Sequence, residues 1–489
     1  MNSSTMSSIF QKQASVTDED LQRIRRYSKY WRFYEGDQWE GERDVDRLIT
    51  FNYCKAVVDK SVSFLFGKGF TFHPNHEDDG KIVDMLNEVW EYNQKTVTGI
   101  EMGQMGGVTG DCFVKVSWEE PETNGDGEPY DLEYPDGKVR LDVIPSKMVF
   151  PTYTSNDRKK MVKCEILYAV LTDGGQVEIH REEITRDKIT IYRGDEVIEE
   201  KDNPINKINI VHIKNMPEAG RWSGQSDIED IISLQKELNE KVTDISDIIN
   251  YHSAPVTIIK GAKTKNLEKG ARKVWGGLPT DSDVFNLQLN SDLSASNNYI
   301  DKVKTAIAEL SNTPEESLGG MSNVSNATGV ALRIQYAPLL EKTRIKRRTY
   351  GEGIREINKL ILLFLQIKGT NEQQEFLDGI LEDGDVEEIR KLFDIETKFP
   401  DPLPKDELLE LEKISKRMDL GLETPKGALK ALGYKGNIEE KLQEIYEYKA
   451  REQNMMFELG NNNADDSAGD DLGGIMEDLD AVEDNPQQN

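Results

Sequence analysis

The spacing of apolar residues changes twice along the chain. From residue 17 to about 92 they return every third or fourth position, the period of a helix with one buried face. From Asp111 to Ile213 they return every second position, the period of a half-buried strand, and from Ser226 the helical period resumes. In the first part, "TDEDLQRIRRYSKYWRFY" opens with a Thr/Asp cap and an acidic first turn, then puts Leu21, Ile24, Tyr27, Trp31 and Tyr34 on one face. "FNYCKAVVDKSVSFLFGKGF" predicts a second helix running into a turn at Gly67 and Gly69, and "KIVDMLNEVWEYN" a third through Ile82, Met85, Leu86 and Val89. Six alternating runs follow: "CFVKVSW", "KVRLDVI", "VKCEILYAV", "QVEIHR", "KITIYR" and "KINIVHI". Turn signals such as "NGDG", "YPDG" and "TDGG" separate them. The expected fold class is α+β, a mostly antiparallel sheet on a helical N-terminal layer.

The segment "SDIEDIISLQKELNEKVTDISDIINY" predicts a long helix with Ile228, Ile231, Leu234 or Gln235, Leu238, Val242, Ile245 and Ile249 down one face. Its acids recur by sevens, Asp230, Glu237 and Asp244 in one line and Glu240 and Asp247 in another. A solvated face is the plain reading of such acids; a surface that must not grip its cargo is the sharper one. Pro255 disfavours helix at Ala254, and "VTIIK", a basic helical piece "NLEKGARKVW" and "VFNLQL" predict a small strand, helix, strand insertion. At about forty residues it is too small to hold a core alone. A short helix, "SNNYIDKVKTAIAELS", and a loop, "TPEESLGGMSNVSNATG", lead into a long helix from about Thr328 to Ile367, with breaks expected near Pro338 and at Gly351 and Gly353. That loop is longer than joining two helices requires. Beyond Phe399 three helices are expected, the second capped by Thr424 with Pro425 at its first position and the third started by Asn437.

Composition narrows the function. The 489 residues carry a formal net charge of −29, which argues against a protein that coats nucleic acid with its whole surface. Against that background the block Arg333, Lys342, Arg344, Lys346, Arg347 and Arg348 stands out, and ion pairing with acidic neighbours is a better account of it than contact with DNA. The three cysteines, Cys54, Cys112 and Cys164, suggest neither a disulfide framework nor a thiolate zinc site. The first residues, "MNSSTMSSIFQKQ", lack the apolar core of a signal peptide, so a soluble protein made in the cytosol is expected. No phosphate-cradling loop, zinc-protease helix or nucleophile elbow occurs. "GQMGGVTG" precedes a strand instead of following one, which favours close helix packing or a tight turn over an anion loop. His73 and His76 flank Pro74 in a polar turn, better read as a solvated loop than as metal ligands. No catalytic residue, metal or cofactor is expected.

This order of elements resembles the portal protein of tailed bacteriophages, the siphophage type. "YEGDQW", "NYCKAVVDKSVSFLFGKGFTF", "VIPSKMVFP", "DIEDIISLQKELNEKVTDISDIIN" and "TPEESLGGMSNVSNATGVALRIQYAPLLEK" carry the resemblance, which spans roughly residues 20 to 455. It implies a flexible start (1–16), an α/β wing (17–225), a first stem helix (226–255), a clip (256–295) and a second stem helix (296–312). A tunnel loop (313–328), a long wing helix with its following segment (329–399), a helical crown (400–458) and a disordered acidic tail (459–489) would complete it. It further implies a ring, usually of twelve copies, that conducts double-stranded DNA at one capsid vertex while a separate terminase hydrolyses ATP.

In that frame Asp230, Glu237, Glu240, Asp244 and Asp247 would line the bore and repel phosphate. Pro314, Glu315, Glu316, Ser317, Leu318, Gly319, Gly320, Met321, Ser322, Asn323, Val324, Ser325 and Asn326 would form a yielding contact with DNA. Lys260, Lys263, Lys265, Lys269, Arg272 and Lys273 of the clip would meet the terminase large subunit and later the head-completion adaptor. Major capsid and scaffolding proteins would be further partners, and the protein, made in the bacterial cytoplasm, would end in the virion. The rival from another class is a cytosolic non-enzymatic scaffold or adaptor, monomeric or dimeric.

Overall fold

The computed structural model describes residues 16–39, 48–74, 80–124, 128–131, 133–171, 177–194, 196–253, 257–260, 283–286, 294–318, 329–383, 395–403, 407–434 and 436–462. Two compact units divide between Leu403 and Pro404. The expected flexible start, apart from Val16, lies outside the described residues.

The helical layer of the first unit is α1 (Asp18–Glu35), α2 (Tyr53–Phe66), α3 (Gly80–Tyr92) and α4 (Lys95–Thr109). Thr17 and Asp20 cap α1 reciprocally, each side chain accepting from the other's backbone N–H. The buried face of α1 holds Leu21, Ile24, Tyr27, Tyr30, Phe33 and Tyr34, turned slightly from the expected stripe, so that Trp31 is marginal and Arg23 lies inside. Asn52 starts α2 by accepting from the Lys55 amide. In α4 the glycines of "GIEMGQMGG" let other elements close in: a Cβ at Gly103 would stand 3.1 Å from Phe66 and 3.2 Å from Val62. Close helix packing is therefore what this glycine-rich stretch provides.

The strands are β1 (Thr71–Pro74), β2 (Asp111–Glu119), β3 (Lys138–Ile144), β4 (Val149–Thr154), β5 (Asp157–Leu171), β6 (Val177–Thr185), β7 (Lys188–Arg193), β8 (Glu196–Asp202) and β9 (Ile210–Lys214). They form a three-stranded sheet in the order β3-β2-β9 and a five-stranded sheet β4-β5-β6-β7-β8, antiparallel throughout. Each of the six alternating runs supplies a strand. β8, "EVIEEKD", was not expected: it is exposed along its length, so no apolar alternation marks it. His73 lies on β1, which pairs with β12 (Ile395–Lys398), a long-range pairing that spacing cannot show.

After β9 come α5 (Ile232–Ser253), the antiparallel pair β10 (Thr257–Lys260) and β11 (Asp283–Asn286), and α6 (Ser294–Leu310). A 3-10 turn, Glu229–Ile231, precedes α5, so the α-helix starts six residues later than the periodicity suggests. The helical piece expected between β10 and β11 lies outside the described residues. α7 (Gly329–Gln335), α8 (Ala337–Lys368) and α9 (Asn371–Asp383) follow. The long helix is interrupted before Pro338, as expected, but α8 runs unbroken through Gly351 and Gly353. Gly353 is a contact residue, since a Cβ there would fall 2.4 Å from the Ile213 side chain. Tyr350, Ile354, Ile357, Ile361 and Leu365 of α8 close the larger core with Phe66, Phe70, Phe72, Leu86 and Trp90. The Trp90 indole donates to Asn358 Oδ1 at 2.8 Å.

The second unit holds α10 (Glu407–Asp419), α11 (Pro425–Ala431) and α12 (Ile438–Asn462). Thr424 caps α11 by accepting from the Gly427 amide, with Pro425 next, and Asn437 accepts from the Glu439 and Glu440 amides at the start of α12. α12 continues to Asn462, past residue 459 where an acidic tail was expected to begin; the remainder lies outside the described residues.

Two glycine substitutions should move stability in opposite directions. In G106A the new Cβ would lie 2.0 Å from Tyr350 Oη, an overlap expected to cost about 1–3 kcal/mol despite alanine's better helix propensity. Gly379, on α9, has nothing within 4 Å of the corresponding position, so G379A should stabilise by about 0.5–1 kcal/mol. Thermal melts should show G106A below and G379A above wild type, with Y350F partly restoring G106A.

Candidate functional site

The site takes shape where α5, α6 and α8 converge on the helical layer. α5 with its lead-in and α6 pack on α1 and α2 through Ile228 and Ile231 of the lead-in and Ile232, Leu238, Ile300, Val303 and Ile307 of the helices, set against Tyr27, Phe33, Val57 and Val58. One face of α5 is polar yet buried: Gln235, Asn239 and Thr243 are 0%, 2% and 8% exposed. One helical turn apart, they accept in register from the backbone N–H groups of Tyr53 (3.1 Å), Phe51 (3.0 Å) and Ile49 (3.2 Å). Gln235 Nε2 donates back to the Phe51 carbonyl, and Asn239 Nδ2 to Gln38 Oε1 at 2.6 Å. This ladder fixes α5 in rotation and along its axis, because hydrogen bonds have directions that apolar contacts lack.

Beneath the ladder lies a buried ion cluster. Asp227, wholly buried, receives Lys346 Nζ at 2.5 Å and Lys342 Nζ at 3.2 Å. Asn215 Nδ2 donates to the same carboxylate at 3.1 Å; Lys346 also donates to Ser61 Oγ at 2.7 Å, and Lys342 to the Ser311 carbonyl at 2.9 Å. The Asp227 amide donates to the Gly107 carbonyl at 2.8 Å. One carboxylate thus joins the lead-in to α5, the end of α6, α8, α2 and α4. Burial would push its pKa up, but the two ammonium groups outweigh burial and hold it at about 2. Burial lowers Lys346 to about 8, a shift that Lys342 reinforces and Asp227 opposes, because two cations share one anion.

A second buried carboxylate, Asp111 on β2, accepts from His212 Nε2 (2.7 Å), the Gly224 amide (2.8 Å) and the Tyr27 hydroxyl. His212 Nδ1 meets Tyr153 Oη at 2.7 Å, and Phe113 stacks on the ring. Arg23 lies beside this group, donating to the Ser146 and Val149 carbonyls and packed on the Tyr27, Phe150 and Trp222 rings. Asp111 is 0% and His212 7% exposed, so this Asp-His-Tyr chain is an interior tie between α1 and both sheets.

Of the expected bore-lining acids, Asp230, Glu240, Asp244 and Asp247 are exposed and Glu237 is half-buried. Asp230 accepts from Gln225, Glu237 from Tyr299 of α6, and Lys241 lies between Glu237 and Asp244 at 3.9 and 3.4 Å. The first acidic line is therefore engaged within the subunit, while Glu240 and Asp247 stand toward solvent. The expected apolar face of α5 ends early, since Ile249 is 49% exposed.

The expected tunnel loop begins as a folded element. Pro314 leads into a 3-10 turn, Glu315–Leu318, in which Ser317 is buried and donates to the Pro314 carbonyl at 2.6 Å, and Leu318 packs on the α5 and α6 cluster. Glu315 accepts from Thr305 at 2.7 Å, and Glu316 also lies in this turn. Gly319, Gly320, Met321, Ser322, Asn323, Val324, Ser325 and Asn326 lie outside the described residues. So do Lys263, Lys265, Lys269, Arg272 and Lys273; Lys260 is exposed on β10.

The basic block is largely spoken for within the subunit. Besides Lys342 and Lys346, Arg333 pairs with Asp401, Arg344 with Glu341, and Arg347 donates to the Pro400, Phe64 and Phe399 carbonyls. Arg348 is exposed. No group of three or more His, Cys, Asp or Glu side chains able to hold a metal ion occurs among the described residues, nor is any described helix long and apolar enough to cross a membrane.

Comparison with known proteins matches residues 13–455 to the family model "Phage portal protein, SPP1 Gp6-like". A solved structure, the virion of a native gene transfer agent (GTA) particle, contains a chain that aligns with a TM-score of 0.41 and 13% identity, over 85% of this chain and 92% of that one. No curated protein matches the chain.

The ion cluster makes a quantitative prediction. D227N strands two buried ammonium groups and should cost about 3–5 kcal/mol at neutral pH, whereas K346M leaves a neutral Asp227–Lys342 pair and should cost under about 2 kcal/mol. The folded-state pKa of Asp227 lies below its unfolded value, so its stabilisation is complete above about pH 4 and lost as pH falls through about 2. Denaturation of wild type and D227N across this range should show the gap closing on the acid side. A gap independent of pH would count against an ionised Asp227.

Proposed function

The chain belongs to the SPP1 Gp6-like phage portal protein family, and on that premise we propose that it forms a ring, of twelve copies, that conducts double-stranded DNA during packaging and ejection. It is a phage portal protein, a component of the capsid that assembles as a ring, in a family whose role is structural. The observation that carries the finer reading is the arrangement at the convergence of α5, α6 and α8. Two long helices are anchored at one end by a polar ladder and an ion cluster, and the residues between α6 and α7 leave from that same anchored base.

In this reading α5 and α6 are the stem, residues 256–295 the clip, 319–328 the part of the tunnel loop that meets DNA, and α10 to α12 the crown. A conduit must position the duplex without holding it, since each cation placed on a phosphate adds salt-dependent grip. Glu240 and Asp247 are the bore acids best supported, because they are exposed while Glu237 is shared with Tyr299 and Lys241. Pro314–Leu318 acts as the loop's footing, and Gly319 and Gly320 as its hinge. Terminase and head-completion proteins dock on the clip, where the lysines and Arg272 offer charge.

Electron micrographs of the purified protein test the ring directly: holed particles of several hundred kilodaltons are expected, and a stable monomer would favour the scaffold or adaptor reading. Lysines placed at Glu240 and Asp247 should leave rings intact and slow packaging, with the defect easing as salt rises. A G319P/G320P variant should likewise assemble and package poorly. Normal packaging by both variants would remove the acids and the loop from the mechanism. Reversing charge at Lys265, Lys269 and Arg272 should impair terminase docking with rings unchanged.

A further inference from the structure

The turn signal "YPDG" shapes a cleft as well as a connection. Gly137 donates its amide to the Tyr134 carbonyl at 3.2 Å and takes φ +98°, which glycine adopts without strain. A Cβ there would fall 2.5 Å from the Glu119 carbonyl oxygen and 2.7 Å from Trp118 Nε1, so the turn folds tightly over the edge of the indole. Between this turn, the end of α3 and the junction of α8 with α9 lies a cleft of about 550 Å³, a volume suited to a bound ligand.

Three kinds of surface meet in it. Val89, Val139 and Leu365 supply aliphatic surface, and Tyr92, Tyr134 and Trp118 supply rings. The Tyr92 and Tyr134 centroids are 5.1 Å apart; the Lys138 ammonium lies 4.1 Å from the first and 5.4 Å from the second, and pairs with Asp131 at 2.9 Å. These rings already hold one cation. Glu88, Glu133 and Asp136 are the third surface. They line the cleft, are exposed, and their carboxylates have no hydrogen bond or ion pair among the described residues. Burial raises the Tyr134 hydroxyl above its usual range, and Glu133 and Glu88 raise it further, as a negative field requires. One donor is left over: the buried Trp118 indole N–H has no partner among the described residues.

These features select an occupant. Unpaired acids repel an anion or a phosphate backbone and attract a cation. The aliphatic and aromatic surface beneath them calls for carbon beside the charge. A polyamine meets both demands, but it carries donors only and leaves the indole N–H unmatched, whereas a peptide carbonyl accepts that bond. Arginine suits the charged position better than lysine, because its guanidinium both forks onto carboxylates and stacks on rings. The chain's own basic stretches are accounted for, since the α8 block is largely paired within the subunit and the clip cations belong to the docking surface proposed above.

We propose that the cleft docks an extended segment of another protein, one that sets an arginine beside an apolar side chain. The guanidinium pairs with Glu133 and Asp136, the apolar side chain packs on Val89, Val139 and Leu365, and a main-chain carbonyl accepts from Trp118 Nε1. Lys138, held by Asp131, stays in place as part of the wall. The site lies wholly in the first unit and does not rest on the ring reading.

Fluorescence anisotropy of labelled acetyl-Leu-Arg-Leu-Arg-Leu-amide with the full-length chain tests the site. Saturable binding to wild type is expected, and none by the counterpart with glutamate for arginine. E133K/D136K should weaken binding about tenfold, while E196K/E199K, the same charge change on β8 outside the cleft, should stay within about twofold of wild type. W118F keeps a ring, removes the donor and should weaken binding about threefold. Glu133 and Asp136 are exposed, so their variant tests the site even where W118F fails to fold. No binding by wild type, undiminished binding by E133K/D136K, or a folded W118F that binds as wild type does would each overturn the proposal. Spermidine that displaces the peptide at equal concentration would overturn the choice of a peptide over a polyamine. K265E/K269E/R272E should bind as wild type does; tighter binding would mean that this chain's own clip fills the cleft, and would overturn the assignment to another protein.

Discussion

The carboxylate of Asp227 is the constraint to which the convergence of α5, α6 and α8 answers. It is wholly buried and held by Lys342 and Lys346 from successive turns of α8, while its own backbone is pinned to α4. A buried ion pair adds little net stability compared with apolar residues of the same shape, but removing one partner is costly, so its effect is to forbid alternatives. Any register of α8 other than the observed one would leave two ammonium groups without their anion. Because Lys342 also donates to the Ser311 carbonyl just beyond α6, the same cluster fixes the spacing between the end of α6 and α8. The loop therefore leaves from, and the long helix returns to, points tied through one carboxylate.

That arrangement explains why a basic block occurs in so acidic a chain. Lys342 and Lys346 neutralise an interior anion, Arg347 satisfies backbone carbonyls at Phe64, Phe399 and Pro400, and Arg333 and Arg344 pair with Asp401 and Glu341. These side chains hold the subunit together, and little of the block's charge is left for a phosphate backbone. Glu240 and Asp247, by contrast, keep acids at the surface of α5.

Much of this was legible in the sequence, and the failures have physical causes. Thr17, Thr424 and Asn437 were readable as caps because capping is local, and the six alternating runs became strands because their faces differ in polarity. β8 could not be seen, since an edge strand exposed on both faces shows no alternation, and β1 with β12 could not be paired by spacing. Gly351 and Gly353 suggested a break that does not occur: a helix tolerates glycine where a neighbour such as Ile213 fills the space. Asp227 lies within the stretch that the periodicity assigns to the helix, where nothing distinguishes it from the other acids. The one signal was polarity in the wrong place, with Gln235, Asn239 and Thr243 one turn apart on a face that apolar spacing would have buried. The stripe could be drawn through either Leu234 or Gln235 because the buried face is itself partly polar.

The polar face also decides how firmly α5 is seated on its neighbours. An apolar interface lets a helix slide or roll at small cost, because the hydrophobic effect has no direction and surface uncovered on one side is matched by surface covered on the other. The ladder from α5 to residues 49–53 has no such tolerance: a shift of one residue would leave three backbone donors and three side-chain acceptors unmatched in a buried setting, at about 1–3 kcal/mol each. Beyond Thr243 the ladder stops, and by Ile249 even the apolar face is half exposed. The base of α5 is thus fixed in register by bonds that have directions. The Asp227 cluster extends the same restraint to Lys342, Ser311 and α8, so the start of α5, the end of α6 and the first turns of α8 are held as one piece.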